Sequence, residues 1–182
     1  GPLHDTVVDL RFSGGRLAKA GAKLPKGDAE VIAVEGLHAS PGWVDLRAHF
    51  RDPGEEYKED VRSGLDAAAA GGFTAVAVLP GTKPAVDQRA SVEYLLRKAQ
   101  GHAVRLLPLG ALTKGGKGEQ LAELYDMQQA GAVAFTDDLS PVRNTRLMLL
   151  ALQYALDFNG LVMAMPQDAD LMREGQMHEG VM

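Results

Sequence analysis

Glu59-Asp-Val-Arg-Ser-Gly-Leu-Asp-Ala-Ala-Ala-Ala-Gly-Gly-Phe-Thr-Ala-Val-Ala-Val-Leu79 reads as a helix running directly into a strand. Val61, Leu65 and Ala68–Ala69 share one helical face, and Gly71-Gly72 supplies the residue type that ends helices. Phe73–Leu79 is apolar at odd and even positions alike, so both faces of that strand need cover. A parallel sheet between layers of other structure provides it.

The pattern repeats on either side. Short apolar segments recur at Trp43–Leu46, Phe73–Leu79, Val104–Leu109, Ala132–Phe135 and Leu161–Ala164, their starts about 30 residues apart, the length of one βα unit. Helical stretches lie between them: Arg89–Lys98, Glu119–Ala130 before Gly131, and Val142–Phe158 before Asn159-Gly160. The spacing predicts an α/β fold, a partial (β/α)8 TIM-type barrel of about five βα units over residues 39–182. A doubly wound nucleotide fold is disfavoured, because no strand is followed by its glycine fingerprint. Gly110–Gly118 lacks both that spacing and a phosphate-loop ending, and reads as a flexible βα loop. A full barrel needs eight strands and about 250 residues, so the expectation is a portion of a longer barrel. Residues 1–38 differ in texture. Thr6–Phe12 and Glu30–Val34 alternate, broken by Ser13-Gly14-Gly15 and Pro25–Asp28, and predict a small β-sandwich-like segment.

Composition narrows the function classes. The chain has 182 residues, 46% hydrophobic and 24% charged, with a formal net charge of −5. That balance suits a folded domain and offers no basic surface for nucleic acid or anionic membrane. No apolar run approaches the roughly 20 residues that span a bilayer. There are no cysteines, which removes disulfides, thiolate metal sites and a thiol nucleophile and fits a cytoplasmic location.

In a barrel of this kind the chemistry gathers at the C-terminal ends of the strands. That mouth receives Arg47, His49 and Arg51, then Pro80-Gly81-Thr82, Thr113 and Lys114, Thr136-Asp137-Asp138, and Pro166-Gln167-Asp168. One histidine with one or two aspartates falls short of the three or four protein ligands zinc usually takes. Trp43 and Tyr57 read as packing residues.

The wording of these loops is more specific than their spacing. Pro41-Gly-Trp-Val-Asp-Leu-Arg-Ala-His-Phe-Arg-Asp-Pro-Gly54, followed by Lys58-Glu59-Asp60, resembles the first-strand signature of bacterial dihydroorotases, PGFIDLHVHFREPG and then KED. The resemblance continues through Gly71–Val76 (GGxTTV), Leu79–Pro84 (MPNTxP), Ala134–Asp138 (xFSDD) and Met163–Asp168, where the family reads A-H-x-E-D. It implies a metal-dependent hydrolase barrel flanked by a small β-domain. The implied reaction is reversible cyclisation of N-carbamoyl-L-aspartate to dihydroorotate in pyrimidine biosynthesis. It also implies a zinc centre held by both histidines of H-x-H, an aspartate after Phe135 and a histidine near residue 166, with a further histidine and a catalytic aspartate expected beyond residue 182.

Carried over residue by residue, the zinc centre is damaged. The first ligand position is Arg47, the second survives as His49, and the next carboxylate is Asp137 or Asp138, with the family pattern favouring Asp137. The following histidine is Pro166. The substrate-contacting arginine survives as Arg51, whereas the asparagine of MPNT is Gly81. Arg51 has a second reading, a salt bridge to Asp52, Glu55 or Glu56. A guanidinium offers only donors and stays protonated, so Arg47 repels a cation and supplies a counter-charge to Asp137 or Asp138. The reading is a dihydroorotase-like protein deficient in catalysis, with zinc absent or weakly bound. The resemblance implies for such a protein the role of a structural subunit for aspartate transcarbamoylase, expected as a homodimer. The alternative is an active cyclic amidohydrolase with a reduced zinc centre.

Overall fold

A computed structural model describes residues 6–33 and 36–168. The chain divides into two compact units between Ser40 and Pro41.

In the first unit, β1 (Asp9–Ser13) and β2 (Arg16–Gly21) form an antiparallel hairpin. Gly14 and Gly15 join them with φ of 57° and 72°, the left-handed pair that a two-residue turn with the right twist requires. The predicted Glu30–Val34 strand does not form over Glu30–Ala33, and Val34 lies outside the described residues. The returning chain is tied to the hairpin by side chains: Asp9 accepts from the Leu24 amide at 2.8 Å, and Arg11 donates to the Lys26 carbonyl at 3.0 Å.

The second unit is a curled half-barrel. β3 (Trp43–Ala48), β4 (Phe73–Val78), β5 (Arg105–Gly110) and β6 (Ala134–Phe135) lie side by side in sequence order, all parallel. Four helices alternate with them: α1 (Val61–Ala70), α2 (Arg89–Ala99), α3 (Leu124–Ala130) and α4 (Thr145–Leu156). The expected fifth strand is reduced to one parallel bridge, Phe135 with Val162, closed by hydrogen bonds from Phe135 N to Leu161 O and Met163 N to Phe135 O, both 2.9 Å.

Period-2 alternation explains why both sheet faces are apolar. Val76, Val78 and Leu106 pack with Val61, Leu65, Val92 and Leu95 of the helices. Their neighbours Ala77, Leu79, Leu109 and Ala134 form a separate cluster on the other face. Burying each such valine or leucine contributes roughly 1.5–3 kcal/mol. β3 has one neighbour in the sheet, and Trp43, Val44 and Leu46 are exposed. Trp43 and Tyr57, read from sequence as packing residues, are 61% and 80% exposed.

The helix ends follow local chemistry. Asp60 caps α1, accepting from the amides of Arg62 (2.7 Å) and Ser63 (3.0 Å), and Asn144 caps α4 through the Leu147 amide. α3 starts later than Glu119 because the preceding residues are used elsewhere: Leu121 bridges Thr113, and the Ala122 amide bonds Leu112 O at 3.0 Å. None of the helices among the described residues is long and apolar enough to cross a membrane.

Candidate active site

The loop leaving β3 alternates inward and outward. Phe50 enters the core against α1, where Gly64 leaves room for its ring. Asp52 turns inward and is fully buried, accepting from Val61 N (3.1 Å), Tyr94 Oη (2.8 Å) and Lys98 Nζ (2.6 Å). A buried carboxylate is costly unless charge and hydrogen bonds compensate it, and here three donors from α1 and α2 do so. That hydrogen bond to Asp52 is the main reason the Lys98 ammonium is held well above the usual lysine range. Burial pushes the Tyr94 phenol up. Sequence reasoning missed Tyr94 and Lys98. They stand four apart on α2, and the only sequence signal was a helical spacing that surface residues share.

This alternation leaves His49 and Arg51 for the mouth. Arg51 has a φ of 63°, left-handed backbone for a non-glycine residue. Its guanidinium reaches Glu55 at 3.6 Å, and Glu55 also meets Lys58 (2.8 Å) and Lys83 (3.7 Å). The hydrogen bond from Lys58 leads in holding the Glu55 carboxyl below its usual range, with the charges of Lys83 and Arg51 adding to it. The salt-bridge alternative for Arg51 is therefore realised, through Glu55 rather than Asp52 or Glu56.

The two adjacent aspartates after β6 do different things. Asp137 is buried and accepts from Thr113 N (2.8 Å) and Thr113 Oγ1 (2.5 Å), while Thr113 Oγ1 accepts from Gly118 N (2.8 Å). It locks the Thr113–Gly118 loop. Asp138 has a φ of 58° and turns the other way. Its Oδ1 lies 3.3 Å from Arg47 Nη2 and its Oδ2 lies 3.3 Å from His49 Nε2. Arg47, His49 and Asp138 therefore meet at one point, with Gly81 beside them: a side-chain Cβ built there would come within 2.9 Å of Asp138 Oδ2. Asp137 stands apart on Thr113. Pro166 is exposed, one residue beyond Met165, which lines a small cleft with Asp137, Asp138 and Thr136.

Among the described residues, the donors that face one another at this point fall short of the three or four protein ligands zinc usually takes. The meeting point brings one imidazole and one carboxylate, and the carboxylate already faces a guanidinium that has no lone pair to give. Among the described residues no three of histidine, cysteine, aspartate or glutamate come together as a cation site. The buried Nδ1 of His49 has no hydrogen-bond partner among the described residues.

The family model described as "Dihydro-orotase-like" matches residues 38–182. The chain is 47% identical to a dihydroorotase of Syntrophotalea carbinolica over 98% of its own length and 43% of the relative's. It is 45% identical to one of Ruminiclostridium cellulolyticum, covering 97% and 41% of the two chains. With one of Geotalea daltonii it shares 47%, covering 97% and 42%. The chain thus spans about two-fifths of the length of these curated relatives. With the family model matching the whole half-barrel and relatives 45–47% identical over nearly all of this sequence, the chain belongs to the dihydroorotase-like family.

Proposed function

We propose that this chain serves pyrimidine biosynthesis in the cytoplasm as a catalytically deficient dihydroorotase homologue, a homodimeric structural subunit for aspartate transcarbamoylase. The observation that carries this reading is the Arg47–Asp138 contact at 3.3 Å. A permanent cation stands where the family presents a metal-binding imidazole, and it satisfies the carboxylate that faces it. At an effective dielectric of 20, each unit of charge on an incoming cation about 4 Å from a guanidinium meets roughly 4 kcal/mol of repulsion. Loss of a ligand atom at Pro166 is then tolerated, because the mouth is already neutralised. Assembly with a partner uses outer surfaces, which leaves the mouth free to diverge.

Metal quantification on the purified full-length protein tests the reading, alongside a dihydroorotate hydrolysis assay with added zinc. The expected result is substoichiometric zinc and no turnover. Stoichiometric zinc that disappears with His49→Ala, or turnover that depends on it, overturns it. Co-purification with aspartate transcarbamoylase, and the activity of that enzyme with and without this protein, test the structural role.

One observation favours a second reading, an active cyclic amidohydrolase with a reduced metal centre. Buried polar atoms are rarely left unpaired, and the orphaned Nδ1 of His49 suits a residue kept for a ligand. The same assay separates the two.

A further inference from the structure

Most glycines that ease a turn in this protein do so with a positive φ. Gly81 does not: its backbone lies outside the left-handed region, so an L-residue fits its conformation. What limits a side chain there is space. A Cβ at position 81 would stand 2.9 Å from Oδ2 of Asp138, 3.6 Å from Nε2 of His49 and 3.8 Å from the Cβ of Asp138. The first distance is shorter than carbon and oxygen tolerate. The nearest atom is the end of a carboxylate, not backbone, so the obstruction comes from where Asp138 points.

We infer that Gly81 is a positioning residue for the mouth: the room left by its missing side chain is the room Asp138's carboxylate occupies when it meets Arg47 and His49. A side chain at position 81 and the carboxylate of Asp138 compete for the same space. Gly81 works together with Arg47: the cation gives Asp138 a reason to turn inward, and the glycine lets it. The inference deepens the reading of Arg47 as a counter-charge and rests on it for its functional meaning, though the steric half stands alone.

Because a carboxylate end can move, Gly81→Ala should fold with Asp138 displaced. The test is a double-mutant cycle on the full-length protein, pairing Arg47→Met with Asp138→Asn, run with glycine and again with alanine at position 81. Urea denaturation gives the folding constants, and a crystal structure of Gly81→Ala accompanies them. With glycine, the coupling should be about two- to fivefold in the folding constant, as for a partly exposed ion pair. With alanine it should vanish, and the Asp138 carboxylate should lie beyond 4 Å from Arg47. Equal coupling in both backgrounds, or an alanine accommodated with Asp138 in place, overturns the inference. Coupling absent in both backgrounds with a displaced Asp138 sinks the counter-charge reading and keeps the positioning role. If Gly81→Ala does not fold, adding Asp138→Ala should restore folding, and failure to restore it overturns the proposal.

Discussion

Lys98 Nζ lies 2.6 Å from Oδ2 of Asp52, joining the outer surface of α2 to a carboxylate that is wholly buried one residue after Arg51. This contact sets the loop that presents His49 and Arg51, so its loss should be felt at the mouth as well as in stability. Removing one member of a fully buried pair costs roughly 3–5 kcal/mol. Lys98 is 36% exposed, so Lys98→Met should cost less, about 2 kcal/mol by urea denaturation.

The same pair fixes a pH dependence. Lys98 is raised above its ordinary value by Asp52, so the folded state binds its proton more tightly than the unfolded chain does. The stability it contributes is fully present below the ordinary lysine pKa of about 10.4 and is lost as pH rises through the raised value. Natural protein should therefore lose stability more steeply above pH 10 than Lys98→Met. Parallel alkaline limbs for the two proteins in thermal melts would contradict the assignment.

Gly64 and Phe50 give a second way to disturb the loop. A Cβ at Gly64 would meet the Phe50 ring at 2.6 Å, and Phe50 is 6% exposed, so the ring cannot swing out cheaply. Gly64→Ala should destabilise by about 1–3 kcal/mol through overpacking. Pairing it with Phe50→Leu should cost less than the two changes measured separately would sum to. Simple additivity would place the strain elsewhere.

Thr113 offers a third. Thr113→Val removes the hydroxyl between Asp137 and Gly118 while keeping the side-chain shape. A buried carboxylate deprived of one donor costs about 1–3 kcal/mol. The Gly118 amide loses its acceptor at the same time, so its hydrogen exchange should speed up well beyond that of Leu109 in β5. Unchanged protection at Gly118 would show that the loop is held by other contacts.

The half-barrel was legible because apolar period and glycine punctuation act locally. Val61, Leu65 and Gly71 mark α1 whatever surrounds them, and the strand at Phe73 follows from its two apolar faces. Val162 was harder: an apolar run looks the same whether it pairs along its length or at one bridge, and only the neighbouring strand decides. The site divided in the same way. That Arg47 would face a carboxylate followed from its charge once the resemblance had placed it and the aspartates at neighbouring ligand positions. Which of two adjacent aspartates it faces did not, because the choice is made by Thr113 capturing Asp137 and by the left-handed turn at Asp138. Neither leaves a mark in the spacing. Tyr94 and Lys98 were invisible for a related reason: their partner is 42 and 46 residues away, and no local pattern names it.

Arg47 itself separates stability from cation exclusion. Its side chain is 50% exposed, so its pair with Asp138 adds little to folding, below about 1 kcal/mol. Its electrostatic effect on an incoming cation is larger, because repulsion acts on each unit of added charge and Asp138 would be freed when the guanidinium goes. Arg47→Met should therefore leave the urea midpoint nearly unchanged while tightening zinc binding by tenfold or more in competition against a chelator. High salt should narrow that difference, since it screens the guanidinium. Affinity indifferent to the change at position 47 would mean the charge does not govern the mouth.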